Sequence, residues 1–206
     1  MSIENFLSGN DEKINQLLQF TALVDKMTAI ERRTLLVDGR RRENDAEHSW
    51  HIALMCMLFK DYAPEGTDIA KSVQMCIIHD LVEIYAGDTF AYDLQANVNK
   101  ETREQEAADK LFSQLPENLA NEIRSLWEEF DAMETRESKF AASMDRLQPF
   151  LHNTLTEGHT WKEGHPSVAQ VDKRIGIAVE TMPELKDWYD KNIQRALEKG
   201  WLEKQD

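Results

Sequence analysis

Apolar residues recur at three- and four-residue intervals over most of the chain, which is the spacing of an α-helix with one buried face. The first such stretch contains Ile14, Leu17 and Met27. It predicts a helix from Lys13 to about Leu35, which ends before the Asp-Gly pair at 38–39.

A second helix has a recognisable start. Asn44 and Glu47 have the residue types and the spacing of a capping box, and they predict a helix from Asn44 to Met57 or Phe59. A third helix, capped by Thr67 or Asp68, leads to residues 79–80. Further helices are predicted over about 100–115, 116–133, 134–156, 167–180 and 183–201, with loops over 89–99 and 157–166.

The chain lacks the patterns of other fold classes. No stretch alternates apolar and polar residues for long, and neither a glycine-rich phosphate loop nor an internal repeat is visible. The fold is therefore predicted to be all-α. Its 206 residues predict one domain, with a core over about 14–156 and C-terminal helices over 167–201 packing on it.

Charge and cysteine usage limit the partners. With 38 acidic and 24 basic residues the formal charge is -14, so the field of the protein repels nucleic acid polymers. The longest apolar run, Ala53–Phe59, is too short to span a bilayer, and no basic segment followed by an apolar one marks a secretory signal. Cys56 and Cys76 lie in apolar helical runs, which predicts buried, reduced thiols in a cytoplasmic protein.

Two histidines and two carboxylates stand out because predicted helices carry them beside apolar residues: His48, the pair His79 and Asp80, and Asp145. A buried carboxylate is costly unless it is paired or binds a metal. A mixed set of nitrogen and oxygen ligands suits a divalent ion and leaves positions open for water and substrate. A lone histidine in such a place is more often a core residue, so the prediction depends on the four residues together.

The order H, HD, D is carried by the segments RRENDAEHSWHIALM and IIHDLVEIYAGDTFAYD and by Asp145 in AASMDRL. It resembles the HD-domain metal-dependent phosphohydrolases, in particular the branch that includes bacterial 5'-deoxynucleotidases and oxetanocin-type phosphohydrolases. The likeness covers about residues 14–145. It implies an HD-domain helical bundle in which His48, His79, Asp80 and Asp145 hold the ion, and it implies a homodimer.

The resemblance also implies catalytic and substrate-binding residues. Glu83 matches a glutamate that orients or deprotonates the attacking water, and Asp88 matches a carboxylate that approaches the sugar and assists proton transfer. Arg33 matches an arginine that contacts phosphate, although Thr34 follows it where the family has tryptophan. Each has a simpler interpretation: an exposed helix glutamate, a turn residue after Gly87, and a solvated surface charge.

Other polar residues near these motifs receive weaker interpretations. Arg41, in the basic cluster 40–42, is a second candidate for a phosphate contact. Glu47 is explained by its helix cap, and His51 is predicted to support His48 or to lie in the core. Three histidines are predicted to face solvent: His152, His159 and His165. Four aromatic residues are predicted to lie in the core or at a subunit contact: Trp127, Trp188, Tyr189 and Trp201.

The sequence thus predicts a metal-dependent phosphohydrolase that cleaves a phosphomonoester, above all a (deoxy)nucleoside 5'-monophosphate, by attack of metal-activated water. A bound cation lowers the pKa of water from about 15.7 toward neutrality. Mn, Co, Fe, Mg, Ni and Zn all suit these ligands. Two alternatives stay open: an HD hydrolase of a nucleoside triphosphate, cyclic phosphodiester or alarmone, and a non-catalytic metal-containing helical protein that binds a ligand.

Overall fold

Helices make up nearly all of the regular structure. The computed structural model describes residues 6–93, 95 and 97–203, so part of the predicted loop 89–99 and the first five residues of the N-terminal segment lie outside the described residues. The elements are α1 (Glu12–Val24), β1 (Glu31–Leu35), β2 (Arg42–Asn44), α2 (Asp45–Leu58), α3 (Ile69–Ile78), α4 (Glu83–Ala86), α5 (Lys100–Phe112), α6 (Glu117–Ala132), α7 (Arg136–Leu155), α8 (His159–Gly164), α9 (Val168–Thr181) and α10 (Lys186–Glu198). The all-α prediction is confirmed, with one small sheet added.

The predicted starts of two helices are correct. Asn44 caps α2 in a full capping box, because its side chain accepts from the Glu47 backbone N–H and the Glu47 side chain accepts from the Asn44 N–H. Asp68 caps α3 by accepting from the backbone N–H of Lys71. Capping bonds of this kind join residues three positions apart, so the residue types in the sequence predict them.

The predicted helix over residues 13–35 is wrong in its second half. Helix α1 ends at Val24, a 3-10 turn follows over Asp25–Ala29, and β1 then pairs antiparallel with β2. The turn between the strands contains Gly39, whose φ of 69° is in the left-handed region. Apolar spacing stops after Met27, and the hydrogen bonds of the strand pair satisfy the backbone instead of a helix.

The predicted loop 157–166 contains the short helix α8. Gly158 precedes it with a φ of 65°, and a Cβ atom there would lie 2.5 Å from Trp201 Cβ. Glycine is therefore required both for the backbone conformation and for the close approach of the C-terminal segment. Trp201 makes this close contact from far along the chain, so the residues around Gly158 do not predict it.

The described part of the chain forms two neighbouring hydrophobic clusters. The larger cluster joins α2, α3, α7, α9 and α10, with Phe140, Met144 and Ile175 among its buried members. The smaller cluster joins α1, the end of α3, α5 and α6 around Leu111 and Trp127. Helix α7 packs against α2, α3, α6 and α9, so polar side chains on α7 lie among several helices.

Most of the aromatic and cysteine predictions agree with the structure. Trp127, Tyr189 and Trp201 are buried, and Trp188 packs against the larger cluster. Cys56 and Cys76 are buried free thiols with their Sγ atoms 3.4 Å apart.

One histidine prediction is wrong. His152 does not face solvent: it is 2% exposed, because it lies on the face of α7 that packs against β1, where its Nδ1 is 2.9 Å from the Leu35 carbonyl oxygen. His165 is exposed and His159 is half-buried, as expected for a surface segment. Within the described residues, no helix combines the length and the apolar character needed to cross a bilayer.

Candidate metal centre

Three of the predicted ligands converge in the interior. His48 lies in the first turn of α2, His79 directly follows α3, and Asp145 lies in the middle of α7. The Nε2 atom of His48 is 3.1 Å from Asp145 Oδ1, and the Nε2 atom of His79 is 3.8 Å from the same oxygen. One ligand atom from each residue lies within 4.8 Å of the others, which is the spacing of a group that can share an ion.

The fourth predicted ligand lies at the edge of this group. Asp80 Oδ2 is 3.0 Å from His79 Nε2. Asp80 also belongs to a second group of carboxylates, with Asp45 and Glu83, whose oxygens again lie within 4.8 Å of one another. The structure therefore brings all four predicted ligands to one place, and their role as ligands stays a prediction.

The hydrogen bonds of His79 show which of its nitrogens faces the group. Its Nδ1 is 2.9 Å from the Cys76 carbonyl oxygen, which can only accept, so Nδ1 carries the hydrogen. In the neutral imidazole Nε2 then holds a lone pair, and this buried atom has no hydrogen-bond partner among the described residues. A nitrogen and a carboxylate oxygen 3.0 Å apart need a positive charge between them, which either a proton on Nε2 or a metal ion supplies. The residues present fit a metal ion.

The charges around His48 also favour a cation. Burial and the nearby Arg32 oppose its protonation, yet hydrogen bonds to Asp145 and Glu43 raise its pKa to about 9. Burial would raise the pKa of Asp145, but its hydrogen bond to His48 and the charge of Arg174 hold that pKa well below its usual range. A cavity that retains a proton on histidine and keeps its carboxylate ionised attracts positive charge.

Arg32 is a charged residue of the site that the sequence did not indicate. Its Nη1 is 2.7 Å from Asp80 Oδ2 and 3.2 Å from Asp45 Oδ1, and its Nε is 3.5 Å from Glu43 Oε1. The predicted helix over 13–35 gave no reason to assign different roles to Arg32 and Arg33. On strand β1 the two neighbours point to opposite faces, and Arg32 is the one that reaches the carboxylates.

Arg33, the predicted phosphate contact, lies in an adjoining cavity. Its guanidinium carbon is 4.5 Å from the centre of the Phe90 ring. Asp88, Tyr92 and Trp161 line the same cavity. Arg33 therefore lies beside aromatic rings, while Arg32 lies beside the predicted ligands.

Arg41, the second predicted phosphate contact, is not brought to either cavity. Its side chain is exposed and pairs with Glu47, the glutamate of the capping box that begins α2. The pairing raises the pKa of Arg41 and lowers that of Glu47. The structure thus places Arg41 in an exposed ion pair, and its contact with phosphate stays a prediction.

Glu83 opens helix α4 and is 5% exposed. Its Oε2 has no hydrogen-bond partner among the described residues. Burial raises the pKa of Glu83 well above its usual range, and the charges of Asp80 and Asp45 raise it further. A buried carboxyl group with a raised pKa has the property of a candidate general acid or base.

The position of Asp88 agrees with both earlier interpretations, a turn residue after Gly87 and a carboxylate that approaches the substrate. It follows Gly87, whose φ of 75° marks a turn, and it lines both the aromatic cavity and the metal-centre cavity. Burial raises the pKa of Asp88. The turn thus places this carboxyl group at the junction of the two cavities.

The metal-centre cavity has a volume of about 180 Å³, room for several water-sized groups. Besides Arg32, three basic side chains that the sequence did not single out line it: Lys100, Arg146 and Arg174. The guanidinium groups of Arg146 and Arg174 lie 3.7 Å and 3.9 Å from Asp145 Oδ2. Arg174 is on α9, and no local pattern links it to the HD motif, so only the packing of α9 on α7 reveals its position.

Comparison with known proteins agrees with this geometry. The model of the HD domain family matches residues 24–186. The human (Homo sapiens) 5'-deoxynucleotidase HDDC2 is 30% identical over 149 residues, which cover 72% of this chain and 72% of that protein. The 5'-deoxynucleotidase hdd1 of Schizosaccharomyces pombe is 24% identical over 198 residues, which cover 94% of this chain and 90% of that protein.

Solved structures give the same result. A predicted metal-dependent phosphohydrolase from Magnetospirillum magnetotacticum is 42% identical, with a TM-score of 0.88 over 96% of this chain and 99% of that chain. An HD-domain phosphohydrolase from Listeria innocua shares the fold at 16% identity, with a TM-score of 0.57 over 88% of this chain and 86% of that chain. The resemblance inferred from the sequence motifs is confirmed.

Proposed function

The chain belongs to the HD domain family, and we propose that it is a metal-dependent phosphohydrolase that cleaves a (deoxy)nucleoside 5'-monophosphate. One observation above all supports the metal. The buried Nε2 atom of His79 faces Asp80 Oδ2 at 3.0 Å with no hydrogen-bond partner among the described residues. The names of the curated relatives support the substrate.

Four side chains would hold the ion: His48, His79, Asp80 and Asp145. When bound, the ion would polarise the phosphate and lower the pKa of a water molecule, so that the water could give up a proton and supply hydroxide for the attack. Nitrogen and carboxylate ligands suit Mn, Co, Fe, Ni and Zn, and the carboxylates also suit Mg. We propose a single ion of this group.

The remaining residues bind, orient and move protons. Glu83 lies in the same cavity, where its carboxylate would orient the attacking water and accept its proton. The guanidinium groups of Arg146 and Arg174 would offset the negative charge that develops on the phosphate oxygens. Arg32 holds Asp80 by a 2.7 Å ion pair and so fixes the orientation of that carboxylate.

The adjoining cavity suits the nucleoside part of the substrate. Phe90, Tyr92 and Trp161 offer aromatic surface, and Arg33 covers the Phe90 ring. Asp88, at the junction of the cavities, can accept a hydrogen bond from a sugar hydroxyl. A phosphate at the ion therefore places the sugar and base of the same molecule toward this cavity.

The test is an assay of purified protein, stripped of metal and reloaded with each divalent ion in turn, against monophosphates, triphosphates, cyclic diesters and alarmones. We expect hydrolysis of nucleoside 5'-monophosphates that a chelator abolishes and one or more of these ions restores. Turnover of diesters without monophosphates would contradict the proposal. Binding of a metal with no turnover of any substrate would favour the non-catalytic alternative.

A second candidate, hydrolysis of a nucleoside triphosphate, requires a larger cationic pocket than Arg33 alone provides. The structure supplies more positive charge than the sequence indicated, since Arg146, Arg174 and Lys100 line the metal-centre cavity. Lys100 is partly neutralised by Glu104, whose Oε1 lies 3.4 Å from its Nζ. The relative rates on mono- and triphosphates of one nucleoside decide between the two substrates.

The substitution Arg174→Gln tests the phosphate contact. A hydrogen bond to a charged group contributes about 1.5–3 kcal/mol, so we expect kcat/KM to fall about 10- to 100-fold. Steady-state kinetics at saturating metal measure this. Lys173→Gln is the matched control, because Lys173 is the exposed neighbour on the same helix. An equal fall of kcat/KM in the two variants would show that Arg174 does not contact the substrate.

We also propose a homodimer. One face of α2 presents an apolar patch formed by Trp50, Leu54, Met57 and Leu58, of which Trp50 and Leu58 are 66% and 67% exposed. Exposed apolar patches of this kind mark protein contacts. Light scattering should give twice the mass of one chain, and W50E with L58E should halve it. Ile14→Glu, on the exposed face of α1, is the control and should leave the mass unchanged.

Three further proposals concern the domain organisation, the location and the partners. The helices after residue 167 pack on the larger hydrophobic cluster, which supports one domain over the whole chain. Cys56 and Cys76 lie 3.4 Å apart as free thiols, which supports a reducing, cytoplasmic location. The charge of -14 supports small phosphorylated molecules as partners over nucleic acid polymers and anionic membrane surfaces.

A further inference from the structure

Gln148 lies on α7, one turn after Asp145, and its side chain is fully buried beside the metal centre. Its Oε1 is 3.2 Å from His48 Nδ1. Its Nε2 is 2.6 Å from Glu43 Oε2 and 3.2 Å from His152 Nε2. A buried amide with partners at both ends is fixed in position.

The partners decide which end of the amide is oxygen. His152 Nδ1 is 2.9 Å from the Leu35 carbonyl oxygen and must donate to it, so His152 Nε2 is the acceptor in the neutral ring. The carboxylate of Glu43, beside Arg32, also accepts. Two acceptors at one end of the amide require its nitrogen there, and the oxygen of Gln148 therefore faces His48. The orientation of a buried amide is usually assigned from such a network.

This orientation determines the state of His48. Because Gln148 Oε1 can only accept, His48 Nδ1 must carry a hydrogen, and Nε2 is the nitrogen that remains for the ion. The second histidine obtains the same tautomer from a backbone oxygen, that of Cys76. At His48 two side-chain oxygens face Nδ1, Gln148 Oε1 at 3.2 Å and Glu43 Oε1 at 3.6 Å, so the nearer one can be removed by substitution.

We propose that Gln148 is a positioning residue of the metal centre. It holds the His48 ring with Nε2 toward Asp145 and His79, and Glu43 and His152 hold Gln148 in turn. The inference rests on the proposed function, since it assumes that His48 binds the ion. Groups that orient a ligating histidine through its other nitrogen typically contribute 10- to 100-fold in metal affinity.

The first test is Gln148→Met, which keeps the length of the side chain and removes its hydrogen bonds to His48, Glu43 and His152. We expect the dissociation constant for the ion, measured by competition with a chelating dye, to rise about 10- to 100-fold. Met182→Ala is the control, because it creates a cavity in the core and lowers stability without touching the network. A folded Gln148→Met protein with the metal affinity of the wild type would overturn the inference.

The second test needs no substitution. Nitrogen NMR of the zinc-loaded wild-type protein, with its six histidines labelled, reports which nitrogen of each ring carries a hydrogen and which binds the metal. We expect His48 to bind through Nε2 and to show a slowly exchanging Nδ1–H signal. Binding through Nδ1 would overturn the role of Gln148 and leave the metal centre intact. A protein that binds no divalent ion would overturn the proposed function, and this inference with it.

Discussion

The substitution Asp145→Asn is expected to lower turnover at least about a thousand-fold. Asp145 Oδ1 lies 3.1 Å and 3.8 Å from the Nε2 atoms of His48 and His79, so this carboxylate is shared between both histidines. Asparagine keeps the size of the side chain and removes its charge. A cation bound there would stabilise the transition state by several kcal/mol, and each 1.4 kcal/mol is about a tenfold change in rate.

The measurement pairs turnover with metal content. Elemental analysis after gel filtration should find the ion in the wild type and little or none in Asp145→Asn. Asp145→Asn also removes the negative charge beside Arg146 and Arg174, which can change the stability of the fold. Thermal unfolding of the metal-free proteins should therefore be compared as well. Asp190→Asn, at an exposed carboxylate paired with Lys186 on α10, is the matched control and should behave as the wild type. Full metal content and full turnover in Asp145→Asn would exclude Asp145 as a ligand.

Glu83→Gln is expected to lower turnover about 100- to 10,000-fold while the ion stays bound. The raised pKa of Glu83 comes from burial and from the charges of Asp80 and Asp45, and a bound cation would oppose those charges. Glutamine fills the same space and keeps a hydrogen-bond acceptor, but it cannot take a proton from water. The loss should therefore appear in kcat more than in KM.

The exposed residue Glu106 on α5 supplies the control, Glu106→Gln, which should retain full turnover. Metal content of Glu83→Gln, measured beside its kinetics, separates the loss of a base from the loss of the ion. If Glu83→Gln hydrolyses the substrate at the wild-type rate, Glu83 has no part in proton transfer. If it loses the ion, Glu83 belongs with the ligands.

Much of the fold and of the candidate site was predicted from patterns among neighbouring residues. The capping box of Asn44 and Glu47 fixed the start of α2, and with it the place of His48 in the first helical turn. Apolar spacing predicted α3 and α7, the helices that position His79 and Asp145. These signals lie within a few residues of one another, because helix caps and helix faces are formed by neighbours in sequence.

The sequence by itself therefore determined the helical class, the family and the four residues that the structure brings together as a candidate metal centre. Tertiary structure alone decided that Arg32 faces the carboxylates, that His152 and Gln148 are buried behind His48, and that Arg174 lines the cavity. The physical reason is the distance along the chain. Arg32 meets Asp80, 48 positions away, and Gln148 meets His48, 100 positions away. Which side chains meet across such separations is set by the packing of whole helices and strands, and no local spacing records it.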